Sequence, residues 1–291
     1  MAHTNFPSDF MVPFDGTFSV AASITEPDIS DLDEKQLKKK LSKANNRLYA
    51  LQRMLYAHNR YSILLIFQAM DAAGKDSTIR TVMRGVNPAG CQVFCFKQPS
   101  AEELDHDFLW RSALRLPERG RIGIFNRSYY EETLVVRVHP EYLSYQNLVG
   151  ETNTNEFWSN RFESIRDHEL HIARNGTVVI KFWLNVSKEE QKRRFIRRLD
   201  NPDKNWKFSS SDINERKFWD AYMNCYQSTL NQTSRPHAPW YAIPADNKPY
   251  MRLQVANTII QTLESLDMHY PEPVPENAAR FDEFRHRLES E

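Results

Sequence analysis

"FQAMDAAGKDST", residues 67–78, is the stretch on which the fold turns. It follows a short apolar run and opens a helical pattern, the setting in which a strand-to-helix loop becomes a phosphate-binding loop. The usual spacing, G-x-x-x-x-G-K-[ST], asks for glycine at Ala69 and a hydroxyl residue at Asp76, so only Gly74 and Lys75 match. The setting outweighs the departures. N–H groups at a helix N-terminus carry partial positive charge, which makes the main chain of Ala72, Ala73, Gly74, Lys75, Asp76 and Ser77 a candidate phosphate cradle. Gly74 lets the chain approach closely, and Lys75 adds a point charge. An ordinary turn that happens to hold Gly-Lys is the plain alternative, and two carboxylates speak against it. Asp71 and Asp76 flank the anion site and would repel phosphate unless a divalent cation lay between. Magnesium is commonly held through one or two carboxylates plus substrate phosphates, so Asp71 is the first candidate ligand, with Ser77 or Asp76 standing in for the missing hydroxyl.

Outward from the loop, short apolar runs alternate with helical patterns. "SILLIFQ" (62–68), "CQVFCF" (91–96), "RIGIFN" (121–126), "TVVIKFWLN" (177–185) and "WYAIPA" (240–245) read as strands, the continuous ones as buried parallel strands. Helices are expected at about 77–86, at 100–116 behind a capping box from Ser100 to Glu103, and at 155–174, 187–199, 211–231 and 248–266. Strand and helix in alternation predict an α/β fold with a doubly wound parallel sheet of about five strands. Before the first strand, Leu37, Leu41, Ala44, Leu48, Leu51 and Leu55 repeat at heptad spacing, which fits a long helix packed on the domain or a contact between subunits. Residues 1–30 read as an extended arm, 31–270 as the main domain with a lid at about 187–218, and 271–291 as a charged tail.

Lys plus Arg equals Asp plus Glu at 38 each, so no global field recruits nucleic acid or an anionic membrane. Any polyanion must be met by a local cluster. Three cysteines without C-x-x-C spacing argue against a disulfide framework or a zinc site, and no run approaches the length of a membrane span; the chain reads as cytoplasmic.

Two further segments carry charge toward the loop. "IFNRSYYEE" ends the third predicted strand, and ligands of open α/β sheets gather beyond strand C-termini, so Asn126 and Arg127 should emerge beside the phosphate loop. Arg127 there either clamps phosphate or pairs with Glu131 or Glu132. "KEEQKRRFIRRLDNPDKNWK" (188–207) is the basic cluster that the global charge hides; Arg193, Arg194, Arg197 and Arg198 share i, i+4 spacing, and Lys204 and Lys207 follow. It is either a lid over phosphates or a solvated basic face. Lys97, just after the second strand, is one more candidate phosphate contact. "HELH" lacks the H-E-x-x-H spacing and reads as a helix surface pair, and Trp206, Trp219 and Tyr222 read as core more readily than as a base-stacking platform.

Taken together, "MDAAGKDST", "GVNPAGCQVFCFKQPSAEELDHDFLWR", "GIFNRSYYEETLVVRVHPEYL", "RRFIRRLDNPDKNWKFS" and "APWYAIPADNK" resemble the family-2 polyphosphate kinases, over about residues 34–268. The resemblance implies a P-loop kinase fold with a helical lid, and magnesium-dependent phosphoryl transfer between inorganic polyphosphate and adenine or guanine nucleotides. It implies that Asp71 holds magnesium or the transferring group, that Gly74 and Lys75 cradle phosphates, and that Arg127 clamps them. Lys97, Arg137, Arg194, Arg198 and Lys207 would line the polyanion path. Asn126 stands where some members carry aspartate as a second magnesium ligand; the amide resembles the subgroup acting on both nucleoside mono- and diphosphates. A homotetramer or dimer is also implied.

Overall fold

The computed structural model describes residues 8–28 and 33–291, the side chain of Lys207 excepted. Helix α1 (Glu34–His58) leads into strand β1 (Ser62–Gln68) and helix α2 (Lys75–Val82). There follow β2 (Cys91–Cys95), α3 (Ala101–Leu104), α4 (Trp110–Ala113), β3 (Ile122–Asn126), α5 (Val135–Val138), α6 (Asn155–Arg174) and β4 (Thr177–Asn185). The chain then runs through α7 (Lys188–Leu199), α8 (Ser210–Glu215), α9 (Trp219–Thr233), β5 (Trp240–Pro244), α10 (Lys248–Ser265), α11 (Pro275–Ala278) and α12 (Phe281–Glu289). No described helix is long and apolar enough to cross a membrane.

The five strands form one parallel sheet in the order β2-β3-β1-β4-β5. Every residue of β1, β3, β4 and β5 is buried, as continuous apolar runs covered by helices on both faces require. β2 departs from that expectation. It lies at the sheet edge with Gln92, Val93 and Cys95 exposed, because its far side has no strand to cover it. The Leu stripe of α1 is buried against α10, so it packs within the chain and gives no argument for a subunit contact. Residues 8–28 run through turns and bends and are attached to the domain. Met11 bridges Tyr241, Val12 is fully buried, and the Ala242 N–H donates to the carbonyl of Phe10. Residues 1–7 and 29–32 of the expected arm lie outside the described residues.

Two predicted helices are broken. The capping box from Ser100 to Glu103 is present, but the helix it starts ends at Leu104. The Asp107 carboxylate accepts from the N–H of Leu109 and His106 stacks on Trp110, so the polar run 105–107 makes a turn before α4. The helix expected over 211–231 divides into α8, a short 3₁₀ turn and α9.

Beneath the chain that follows β3 lies a buried ion pair. Lys181 Nζ donates to Glu169 at 2.6 Å, to the Tyr130 hydroxyl and to the carbonyl of Thr233, and Glu169 also accepts from Tyr129 and Tyr130. Both charges are fully buried. Burial pulls the Lys181 ammonium down to about 8, against the attraction of Glu169. Such a pair fixes geometry more than it adds stability. Here it anchors the two tyrosines directly after Arg127 and Ser128.

Candidate active site

β1 delivers the chain at the C-terminal edge of the sheet, between β3 and β4. Ala69 keeps an ordinary backbone, as its lack of glycine suggests; the left-handed positions are Ala72 at φ 61° and Gly74 at φ 110°. Gly74 then caps α2 from a conformation that side chains rarely adopt. No side chain caps the helix, so the first N–H groups of α2 are free of a side-chain acceptor and point into the loop. That is the anion-binding arrangement expected of the sequence.

Lys75 is buried, and its ammonium donates to the carbonyl of Ala69 at 2.7 Å and more weakly to that of Met70 at 3.5 Å. An ammonium carries three donors, so capacity remains for a phosphate oxygen. Burial first, and Arg127 second, lower its proton affinity, while Asp71, Glu131 and Asp76 raise it. Ser77 donates back to the carbonyl of Gly74.

Arg127 leaves the end of β3 with a left-handed backbone at φ 64°. Its Nη2 donates to Asp71 at 2.7 Å and its Nη1 to Glu131 at 3.3 Å. Glu131 above all, and then Asp71, hold the guanidinium charged against the cost of burial. Both sequence readings therefore apply: Arg127 reaches the phosphate loop, and it pairs with Glu131. The main-chain carbonyl of Asp71 is fixed in turn by buried Gln191, through Nε2 at 2.9 Å. Asn126 donates from Nδ2 to Asp76 at 2.7 Å and lies 3.6 Å from the sulfur of Cys95. The amide orients the carboxylate of Asp76 where a second carboxylate would repel it.

Asp71 and Arg127 open onto a cavity of about 570 Å³, whose wall also includes Lys97, Gln191, Asp212 and Tyr222. The volume suits a nucleotide-sized ligand. Lys97 is exposed at its edge.

Three members of the expected polyanion path are engaged with protein groups. Arg194 is 5% exposed, and its guanidinium donates to Glu190 and to the carbonyls of Ala72, Ala73, Ala245 and Asp246. It ties the phosphate loop to the turn before α10. The four arginines of α7 thus do not share one face: Arg193 and Arg197 point outward and pair with Glu190, whereas Arg194 turns into the protein. Arg198 pairs with Asp212 at 3.2 Å and lies over Phe195. Arg137 does not line the cavity; its guanidinium sits over Trp158 and Phe162, with Nη1 buried and unpartnered. The side chain of Lys207 lies outside the described residues. Trp219 and Tyr222 are buried as expected of core aromatics, while Trp206 is exposed. Sequence reasoning missed Gln191 and Arg216; the Arg216 Nη1 donates to Gln191 at 2.5 Å. The signal for Gln191 was the inward i, i+3, i+4 set Gln191, Arg194 and Phe195 on α7; Arg216 carried none.

One consequence is directly testable. Cys95 is exposed, whereas Cys225 is buried and burial pushes the Cys91 thiol up to about 11. Iodoacetamide at pH 8 should therefore label Cys95 first in the native protein, as read by peptide mass spectrometry. Because Cys95 touches Asn126, labelling should lower turnover severalfold. Labelling of Cys225 at an equal rate would contradict the burial described.

Comparison with known proteins places this geometry. The sequence model of the Polyphosphate kinase 2 (PPK2) family matches residues 31–271. An ADP-polyphosphate phosphotransferase from Rhodopseudomonas palustris is 55% identical over 243 residues, 83% of this chain and 84% of that protein. An AMP/ADP-polyphosphate phosphotransferase from Meiothermus ruber is 44% identical over 233 residues, 80% of this chain and 83% of that one. The crystal structure of polyphosphate kinase 2 from Arthrobacter aurescens superposes with a TM-score of 0.83 at 36% identity, covering 92% of this chain and 93% of that one. With a family model matching most of the chain and relatives this similar over most of their own length, the chain belongs to the polyphosphate kinase 2 family.

Proposed function

We propose that this polyphosphate kinase transfers the terminal phosphoryl group of inorganic polyphosphate to AMP and to ADP, reversibly and with magnesium. The observation that carries the reading is the uncapped N-terminus of α2 behind Lys75, set against the Asp71–Arg127 pair at the mouth of a nucleotide-sized cavity. The names of the relatives, which specify ADP or AMP/ADP, support the choice of acceptor.

Phosphoryl transfer asks a protein for positioning and charge neutralisation more than for covalent chemistry. The α2 N–H groups and Lys75 hold the donor phosphates, and Arg127 spans the transferring group. The acceptor phosphate is already ionised near neutral pH, so no general base is needed. Asp71 and Asp76 each have one oxygen engaged, by Arg127 and Asn126 respectively. Among the described residues no group of three or more His, Cys, Asp or Glu side chains forms a metal cage. That donor set fits magnesium, which enters kinase sites through one or two carboxylates together with substrate phosphates. Asp71 would hold it, with Asp76 in support; once bound with substrate it supplies neutralisation of the phosphate charge. Segment 187–218, which contributes Gln191, Asp212 and Arg216 to the cavity wall, would close over the phosphates and exclude water.

The test is incubation of purified protein with polyphosphate and magnesium, with AMP or ADP as acceptor, followed by chromatography. ADP and ATP should form without any other phosphoryl donor. Product only when ATP replaces polyphosphate would mark a nucleoside monophosphate kinase instead, and no product under any donor would sink the catalytic reading.

A further inference from the structure

The cavity beside Asp71 and Arg127 has a second polar feature that phosphate chemistry does not use. In its mixed polar and apolar wall stands Glu132, 4% exposed. Its Oε2 accepts from Arg161 Nη1 at 2.5 Å and from Gln146 Nε2 at 2.8 Å. The Gln146 carbonyl accepts from Arg161 Nη2 at 2.5 Å, so the three side chains close a ring of hydrogen bonds. Arg161 is itself fixed, its guanidinium lying 4.9 Å from the ring of Phe108 and 4.8 Å from that of Phe157. Among the described residues no donor reaches Glu132 Oε1. Arg161 satisfies the charge of this carboxylate and shares Oε2 with Gln146, which leaves Oε1 with acceptor capacity for a donor in the cavity that Glu132 lines.

Resting on the reading that this cavity takes the acceptor nucleotide, we infer that Glu132, held by Arg161 and Gln146, accepts a hydrogen bond from the 6-amino group of an adenine base and sets base selectivity. The geometry offers one open acceptor oxygen, because the other already receives two donors. Adenine presents one exocyclic amino group to match it. The Watson–Crick edge of guanine offers N1–H and N2–H₂ side by side and asks for two acceptors, while its O6, like that of hypoxanthine, would face a carboxylate and be repelled. A site built to receive a substrate N–H rejects the analogue that lacks it.

The discriminating pair is ADP and inosine diphosphate, which differ at the 6-position by amino against oxo. With polyphosphate as donor, kcat/KM for the wild-type protein should favour ADP by about tenfold or more. Glu132→Gln should invert the preference. Arg161 and Gln146 would keep the amide oxygen, which turns its NH₂ toward the cavity as a donor for the 6-oxo group. Gln146→Met, at a half-buried position, frees the carboxylate and should draw the ratio toward one; it serves where Glu132→Gln fails to fold. General damage to the fold would lower both substrates together and leave the ratio as it was. A wild-type ratio within about twofold of one, or an unchanged ratio in a folded variant, overturns the assignment. Wild-type protein that phosphorylates neither nucleotide overturns the functional reading on which it rests.

Discussion

Lys75→Met loses at least about 10³-fold in kcat/KM for phosphoryl transfer, without loss of stability. The two halves of this expectation have separate causes. The ammonium is the point charge of the phosphate loop, and the carbonyl groups of Ala69 and Met70 hold it beside the uncapped start of α2. As to stability, burial already lowers the proton affinity of Lys75, so the charge is kept at a cost, and an apolar side chain of similar length removes that cost, which offsets the single strong hydrogen bond lost at the Ala69 carbonyl; Arg194 gives up four such acceptors. Initial rates and thermal melts on one preparation check both. A rate within tenfold of wild type would remove Lys75 from the site; a large fall in melting temperature would make it a structural residue.

Arg194→Met should be destabilised by about 3–5 kcal/mol and should lose activity through a loosened loop. The guanidinium donates to four main-chain carbonyls on two segments, Ala72 and Ala73 in the phosphate loop and Ala245 and Asp246 after β5. Methionine leaves these acceptors buried without a donor. Arg194→Lys should rescue little, because an ammonium cannot span both segments as the planar fork does. Urea titration gives the stability and initial rates give the activity. A residue that only touched polyphosphate would behave differently: the KM for polyphosphate would rise and the unfolding midpoint would stay. That pattern would return Arg194 to the polyanion path.

The contrast between these two residues shows what could be read from sequence. Lys75 was legible because strand, glycine, lysine and helix lie within one local stretch, and the chemistry of a helix N-terminus follows from the backbone alone. The strands 62–68 and 177–185 were legible for a similar reason, since burial on both faces leaves a continuous apolar run. Asp71 and Arg127 lie 56 residues apart, yet the rule that ligands gather beyond strand C-termini brought them together. Arg194 was not legible as a tie between segments. Its neighbours Arg193, Arg197 and Arg198 gave a basic stretch, and only the packing of α7 on the loop decides which arginine turns inward. Arg137 shows the same limit, since its aromatic surroundings, Trp158 and Phe162, come from the distant α6. Glu131 and Glu132 are adjacent and looked equivalent as partners for Arg127. The 3₁₀ turn after Ser128 sends Glu131 to Arg127 and Glu132 to Arg161.

The central claim is that Asp71 acts at the point where polyphosphate meets the nucleotide, and Asp71→Asn tests it most directly. The measurement is ATP formation from ADP, polyphosphate and magnesium by this variant beside wild type, with polyphosphate binding followed on the same samples. Removing one negative charge beside an anion should leave binding intact or tighter, while ATP formation falls to about a thousandth or less. ATP formed at a rate within tenfold of wild type would contradict the account.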